Sequence, residues 1–122
     1  MSKTGMPDHL KKGKAGEELA ENLLVSKGYE IIERNYRFGR GEIDLIALQD
    51  DSILVFVEVK SRSRFNYGEP EEFVDNRKAE LVIKTAENYI FDINWQKDIR
   101  FDIISISIKD PNSIKHFEDA FH

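Results

Sequence analysis

The sequence predicts a mixed α/β domain in which a central β-hairpin is flanked by helices. Three observations predict it. Residues 41–48 and 53–60 are two β-branched, apolar runs, and the turn residues Asp50, Asp51 and Ser52 lie between them. Residues 12–27 and 76–91 repeat apolar side chains at helical spacing on either side of that hairpin. Residues 98–108 are apolar on both faces, as an inner strand of a mixed sheet is. The resulting order, α-β-β-β-α-β, fits a mixed sheet covered by helices.

Residues 1–11 hold Gly5, Pro7 and scattered charge. They have little to bury and read as a flexible tail ahead of a single domain over residues 12–122. The first helix, residues 12–27, carries Ala15, Leu19, Ala20, Leu23 and Leu24 as its stripe, and Gly28 stops it. Glu17, Glu18 and Glu21 suit the positive end of its dipole. Residues 29–36 form a strand on Tyr29, Ile31 and Ile32. A loop follows, with Arg34, Arg37 and Arg40 set among Asn35, Gly39 and Gly41. Such a loop before an acidic strand suits a phosphate backbone, and it suits a solvated turn as well.

Beyond the hairpin, residues 61–68 interleave Arg62 and Arg64 with Phe65 and Tyr67. That composition fits a loop that clamps a nucleic-acid strand, or aromatics tucked against the core. Asp75 caps the second helix, residues 76–91. Its buried stripe is Leu81, Val82, Thr85, Ala86, Tyr89 and Ile90, and Lys78 lays its stem along the core edge with its amine in solvent. The strand over 98–108 sets Ile99, Phe101 and Ile103 on one face. Ile104, Ile106 and Ile108 lie on the other, where Arg100 and Asp102 pair as structure. Pro111 and Asn112 break that strand, and residues 114–121 make a last short strand-like element.

The hairpin carries the chemistry. Side chains alternate along a strand, so Glu42 and Asp44 share one face, as do Glu58 and Lys60. With Asp50 to Ser52 as the loop, Gln49 faces Ile53, Ile46 faces Phe56, Asp44 faces Glu58 and Glu42 faces Lys60. The opposite face, Ile43, Leu45, Ala47, Val55, Val57 and Val59, is then wholly apolar, whereas a two-residue loop would put charge into both layers. Two carboxylates directly opposed, with Cβ atoms roughly 4.5–5.5 Å apart, need a shared proton, a bridging Lys60 or a cation. A hard cation such as Mg²⁺ is held by one or two carboxylates plus phosphate oxygens. An ion-pair cluster and a metal site both satisfy these two strands.

A chain of 122 residues, 40% hydrophobic and 34% charged, suits one soluble domain. No apolar run approaches a membrane span, which takes about 20 residues. The N-terminal residues lack the apolar centre of a signal peptide. Zero cysteines exclude disulfides and thiolate metal sites and fit a reducing cytoplasm. His9, His116 and His122 show no zinc pattern. Net charge is −5, all of it in residues 65–122, while residues 1–64 balance 11 basic against 11 acidic side chains. That argues against a generic nucleic-acid coat and predicts modest, salt-dependent DNA affinity.

Asp44 followed by Glu58-Val59-Lys60 after a hairpin resembles the D…(D/E)xK signature of the restriction-endonuclease-like, or PD-(D/E)xK, nuclease superfamily. The fuller set is Gly16-Glu17, Asn35-Tyr36-Arg37, Gly41 to Ile46, Phe56 to Lys60 and Arg62. It resembles the YraN-type family of small bacterial proteins, similar to archaeal Holliday junction resolvases, over about residues 13–121. The resemblance implies a restriction-endonuclease-like core and a Mg²⁺- or Mn²⁺-dependent nuclease acting on branched or otherwise structured DNA. It implies that Asp44, Glu58 and the Val59 carbonyl hold the metal and that Lys60 serves the attacking water or the phosphate. Glu17 and Glu42 become supporting acids; Arg37, Arg40, Arg62 and Lys78 become phosphate contacts. Cutting both strands of a junction symmetrically implies a homodimer. A DNA-binding or protein-interaction module that keeps the fold without the chemistry is the alternative.

Overall fold

The computed structural model describes residues 8–62, 76–107, 110 and 113–120. Among them the chain forms α1 (Asp8–Ser26), β1 (Glu30–Phe38), β2 (Gly41–Gln49) and β3 (Ile53–Arg62), then α2 (Asn76–Ile93), β4 (Asp98–Ser107) and β5 (Ile114–Phe117). The strands make one five-stranded sheet in chain order. Neighbours pair antiparallel except β3 and β4, which run parallel because α2 lies between them in the chain. Among the described residues no helix is long and apolar enough to cross a membrane.

Each face of the sheet is closed by one helix. Ala20 and Leu24 of α1 pack on Leu45, Ala47, Val55, Val57, Ile104 and Ile106. Val82, Ala86 and Tyr89 of α2 pack on Ile43, Ile46, Leu54, Phe56 and Phe101. The hairpin register is the one the alternation predicts, from Leu45↔Val57 to Gln49↔Ile53, closed by Asp50 and Asp51 in left-handed backbone and Ser52 bonding back to Gln49.

Several expectations are corrected. Helix α1 begins at Asp8 rather than 12, since 8–11 contain no glycine or proline to stop it. Strand β1 runs to Phe38, so Arg34 and Arg37 lie in a strand, and the turn between β1 and β2 is Gly39 and Arg40 alone. Asn35 takes φ 54° within that strand. It falls opposite Asp44, between the registered pairs Arg34↔Leu45 and Tyr36↔Ile43. Ile43 packs with the α2-side cluster and not with Leu45 and Ala47, so alternation along β2 breaks at Asp44. Leu81 is 37% exposed rather than part of the buried stripe. Strand β5 ends at Phe117, and a turn follows. Most of the basic-aromatic loop, the Asp75 cap and Ile108 lie outside the described residues.

Candidate functional site

The break at Asp44 builds the site. With Ile43 on one side of the sheet and Leu45 on the other, Asp44 is turned toward β3, and its Oδ2 accepts the Val59 backbone N–H at 2.8 Å. A carboxylate thereby takes a strand hydrogen bond where the registered β2–β3 ladder has ended. Glu58 lies beside it on the α2 face, two residues beyond Phe56, and is 8% exposed. Its Oε2 accepts Lys78 Nζ of α2 at 2.6 Å and stands 3.4 Å from Lys60 Nζ.

These groups line one cavity of about 350 Å³ with Arg40, Glu42, Val59, Leu81 and Val82. The sheet therefore brings Asp44, Glu58, Lys60, Glu42, Arg40 and Val59 to one cavity, although the registered ladder stops at Leu45↔Val57 and the turn of Asp44 toward β3 comes from the break in alternation and not from the register. Lys78 departs from its expected solvent-facing pose, since Glu58 draws its amine inward. Arg37 is not in the cavity wall; its side chain is 75% exposed and its guanidinium reaches Glu42 at 3.5 Å. Glu17 lines a neighbouring cavity of about 410 Å³ with Glu18, Glu21, Asn22, Arg34, Asn35 and Leu45, yet its charge is felt at Asp44. That cavity is the larger, but its lining lacks the lysines and the Asp44–Glu58 pair of the smaller one. Arg62 ends β3, and its side chain lies outside the described residues.

Electrostatics follow from burial and crowding. Asp44 is pushed up to about 8, by burial first and then by the Glu58 charge, while the Val59 N–H pulls the other way. At neutral pH it holds a proton shared against Glu58. Burial also lowers Lys60, and the neighbouring Lys78 lowers it further against the pull of Glu58. Burial opposes the charge on Lys78, but the hydrogen bond to Glu58, the contact with Lys60 and the charges of Glu58 and Asp44 together raise its pKa. Among the described residues no three His, Cys, Asp or Glu side chains are grouped to hold a metal ion. The carboxyl groups that line the cavity are those of Glu42, Asp44 and Glu58.

Two features were missed in the sequence. Ser105 of β4 stands beside Lys60 in the parallel register, 1% exposed, its Oγ without a hydrogen-bond partner among the described residues. A serine between isoleucines was its signal. On the α1 face, Asp102 is fully buried and accepts both arms of the Arg100 fork at 2.8 Å, His116 Nε2 at 2.7 Å and the Asp119 N–H at 3.0 Å. Arg100 also donates to Tyr29 and Gln49, and Lys27 meets His116 Nδ1 at 2.8 Å. The Arg100–Asp102 pair was legible as structure; His116 was not, because it is distant in sequence.

The fold and cavity define a class: small mixed α/β domains with opposed acids and lysines at the open end of a central hairpin. The family model described as "Uncharacterised protein family UPF0102" matches residues 16–106. The chain belongs to that family. A UPF0102 protein of Cytophaga hutchinsonii is 49% identical over 100 residues, 82% of this chain and 88% of the relative. One from Flavobacterium psychrophilum is 43% identical over 118 residues, 96% of this chain and 98% of the relative. Among solved structures, Pyrococcus furiosus SfsA in complex with Ca²⁺ aligns over 97% of this chain and 74% of that chain, at 17% identity and a TM-score of 0.38. A likeness that slight carries no argument.

Proposed function

We propose that the chain is a Mg²⁺- or Mn²⁺-dependent nuclease with a restriction-endonuclease-like core, hydrolysing phosphodiester bonds in branched or otherwise structured DNA. One observation carries the reading: Asp44, Glu58 and Lys60, from two strands, line a single cavity with lysine and arginine at its wall. The donor set fits the ion. Two opposed carboxyls hold together in the bare protein by keeping a proton on Asp44, which marks a demand for positive charge. Mg²⁺ needs only one or two protein carboxylates, with water and substrate phosphate supplying the rest. Asp44, Glu58 and the Val59 carbonyl would hold it, and it would supply Lewis acidity at the phosphodiester.

The remaining work falls to the chain's own groups. Lys60, with its pKa lowered by burial, holds or releases a proton at Nζ beside the reacting phosphate. Lys78 leaves Glu58 to meet the charge on the phosphate oxygens, and Arg40 fixes the backbone at the rim. Glu42 keeps Arg37 at the edge, where both steer the strand. The acidic remainder of the chain keeps non-specific affinity low.

The test is cleavage of branched, nicked and single-stranded DNA with Mn²⁺. Wild type cuts at least one of these, and Asp44→Asn and Lys60→Ala lose about 100-fold or more. A wild type that cuts none better than the variants defeats the reading. The second reading is a DNA-binding module without chemistry, favoured by the two lysines that already serve Glu58. Metal-independent binding, unchanged in Asp44→Asn, selects it.

A further inference from the structure

The turn between β1 and β2 consists of Gly39, at φ 60°, and Arg40. Arg40 lines the acid–lysine cavity. Phe38, paired with Gly41 across the same turn, is 48% exposed. Leaving a large aromatic ring half in water forgoes burial that the fold could otherwise gain. Alternation puts Phe38 on the same face of β1 as Tyr36, whose ring meets Tyr89 of α2 edge-on at 5.0 Å. Its partner Gly41 abuts α2 as well: a Cβ added there would lie 3.2 Å from the Leu81 carbonyl. Leu81 is itself 37% exposed and lines the cavity. An open aromatic ring thus sits two residues from a cavity arginine, on the edge where α2 meets the hairpin.

We infer that Phe38 is a base-stacking platform, and that the nucleic-acid strand entering the cavity is unpaired at that point. The ring takes the face of one nucleobase while Arg40 and the cavity lysines take the neighbouring phosphates. Only an unstacked base offers its face to a protein ring, and every base has one, so the contact selects strand state and not sequence. The substrate class is therefore a single strand, flap or junction opened beside the cleaved bond. This rests on the reading of the cavity as a phosphodiester site.

Wild type, Phe38→Ala, Phe38→Trp and Asp44→Asn are titrated in Ca²⁺ against a labelled single strand and against its blunt duplex, and assayed for cleavage in Mn²⁺. Phe38→Ala weakens single-strand binding about tenfold, the worth of one base–aromatic stack, and leaves duplex binding within about twofold. Phe38→Trp keeps the affinity, and its added tryptophan fluorescence is quenched by the single strand. Equal single-strand affinity in wild type and Phe38→Ala, or no quenching in Phe38→Trp, overturns the platform. Asp44→Asn separates the two readings. If it loses cleavage while binding ignores position 38, the platform falls alone. If no variant cuts but binding still depends on position 38, the nuclease falls and the platform stands.

Discussion

One oxygen, Glu58 Oε2, serves two ammonium groups, Lys78 at 2.6 Å and Lys60 at 3.4 Å. The closer lysine takes most of that carboxylate, so it leaves the half-buried Lys60 with the weaker share of its counter-ion and next to a like charge. Burial lowers Lys60 first, and Lys78 lowers it further. Replacing Lys78 with Met removes the competing charge and leaves Glu58 to Lys60, and both changes favour a protonated Lys60. Its pKa in Lys78→Met is expected to rise toward the ordinary lysine value, read by NMR titration of lysine ε-carbons. An unchanged or lower value would mean that Lys78 does not govern its neighbour. Asp44, Glu58 and Lys60 were legible because charge inside apolar strands needs a reason. The pairing of Lys78 with Glu58 was not, because a lysine on an amphipathic helix is ordinarily solvated and its partner lies 20 positions away; only the family resemblance brought Lys78 to the site.

At the scale of elements, β1 and β2 are longer and closer to α2 than their turn residues suggest. Asn35, Gly39 and Gly41 resemble a loop in sequence. In the fold Asn35 absorbs its left-handed φ inside β1, and Gly41 is there because α2 leaves no room for a side chain. A Cβ at Gly41 would collide with the Thr85 hydroxyl and press on the Leu81 carbonyl at 3.2 Å. The hydroxyl is a buried side chain already bonded to that carbonyl at 2.8 Å, so neither atom yields freely. Gly41→Ala is therefore expected to cost about 1–3 kcal/mol, the usual range for overpacking. Adding Thr85→Ala removes the hydroxyl, the nearest of the three crowding atoms, and leaves the Leu81 carbonyl and the residue 85 Cβ at 3.2 Å, so the double variant is expected to be more stable than the two single costs sum to. Urea unfolding of the four proteins measures this, and a Gly41→Ala protein as stable as wild type would show that α2 shifts without penalty.

For the whole molecule, the sheet with a helix on each face was readable from periodicity, because β3 and β4 are apolar on both sides. What joins the far strands was not readable, since Tyr29, Gln49, Asp102 and His116 meet only after folding. The two buried acids then pull stability in opposite directions with pH. Burial opposes the charge on Asp102, but the Arg100 fork, His116 and the Asp119 N–H overcome it and hold its pKa below the ordinary value of 3.8. Its contribution is present above that value and is lost as pH falls through the folded pKa. Asp44 is the reverse case: its pKa is raised to about 8, so its contribution is full below 3.8 and is lost as pH rises through 8. Between those limits wild-type stability is expected to fall by on the order of a few kcal/mol, because Asp44 ionises in the unfolded chain while burial beside Glu58 keeps it protonated in the folded one. Asp44→Asn keeps an oxygen for the Val59 N–H and cannot ionise, so its curve over the same range is expected to be flatter and to lie above wild type at pH 8. Asp102→Asn leaves Arg100 buried beside a neutral partner. It is expected to lower the whole curve above pH 5 by about 3–5 kcal/mol, the cost of breaking a buried pair, without changing its slope. Urea midpoints from pH 4 to 9 decide it: a wild-type curve that climbs from pH 5 to 8, or a slope that Asp44→Asn leaves untouched, removes the strained acid pair from the account of this site.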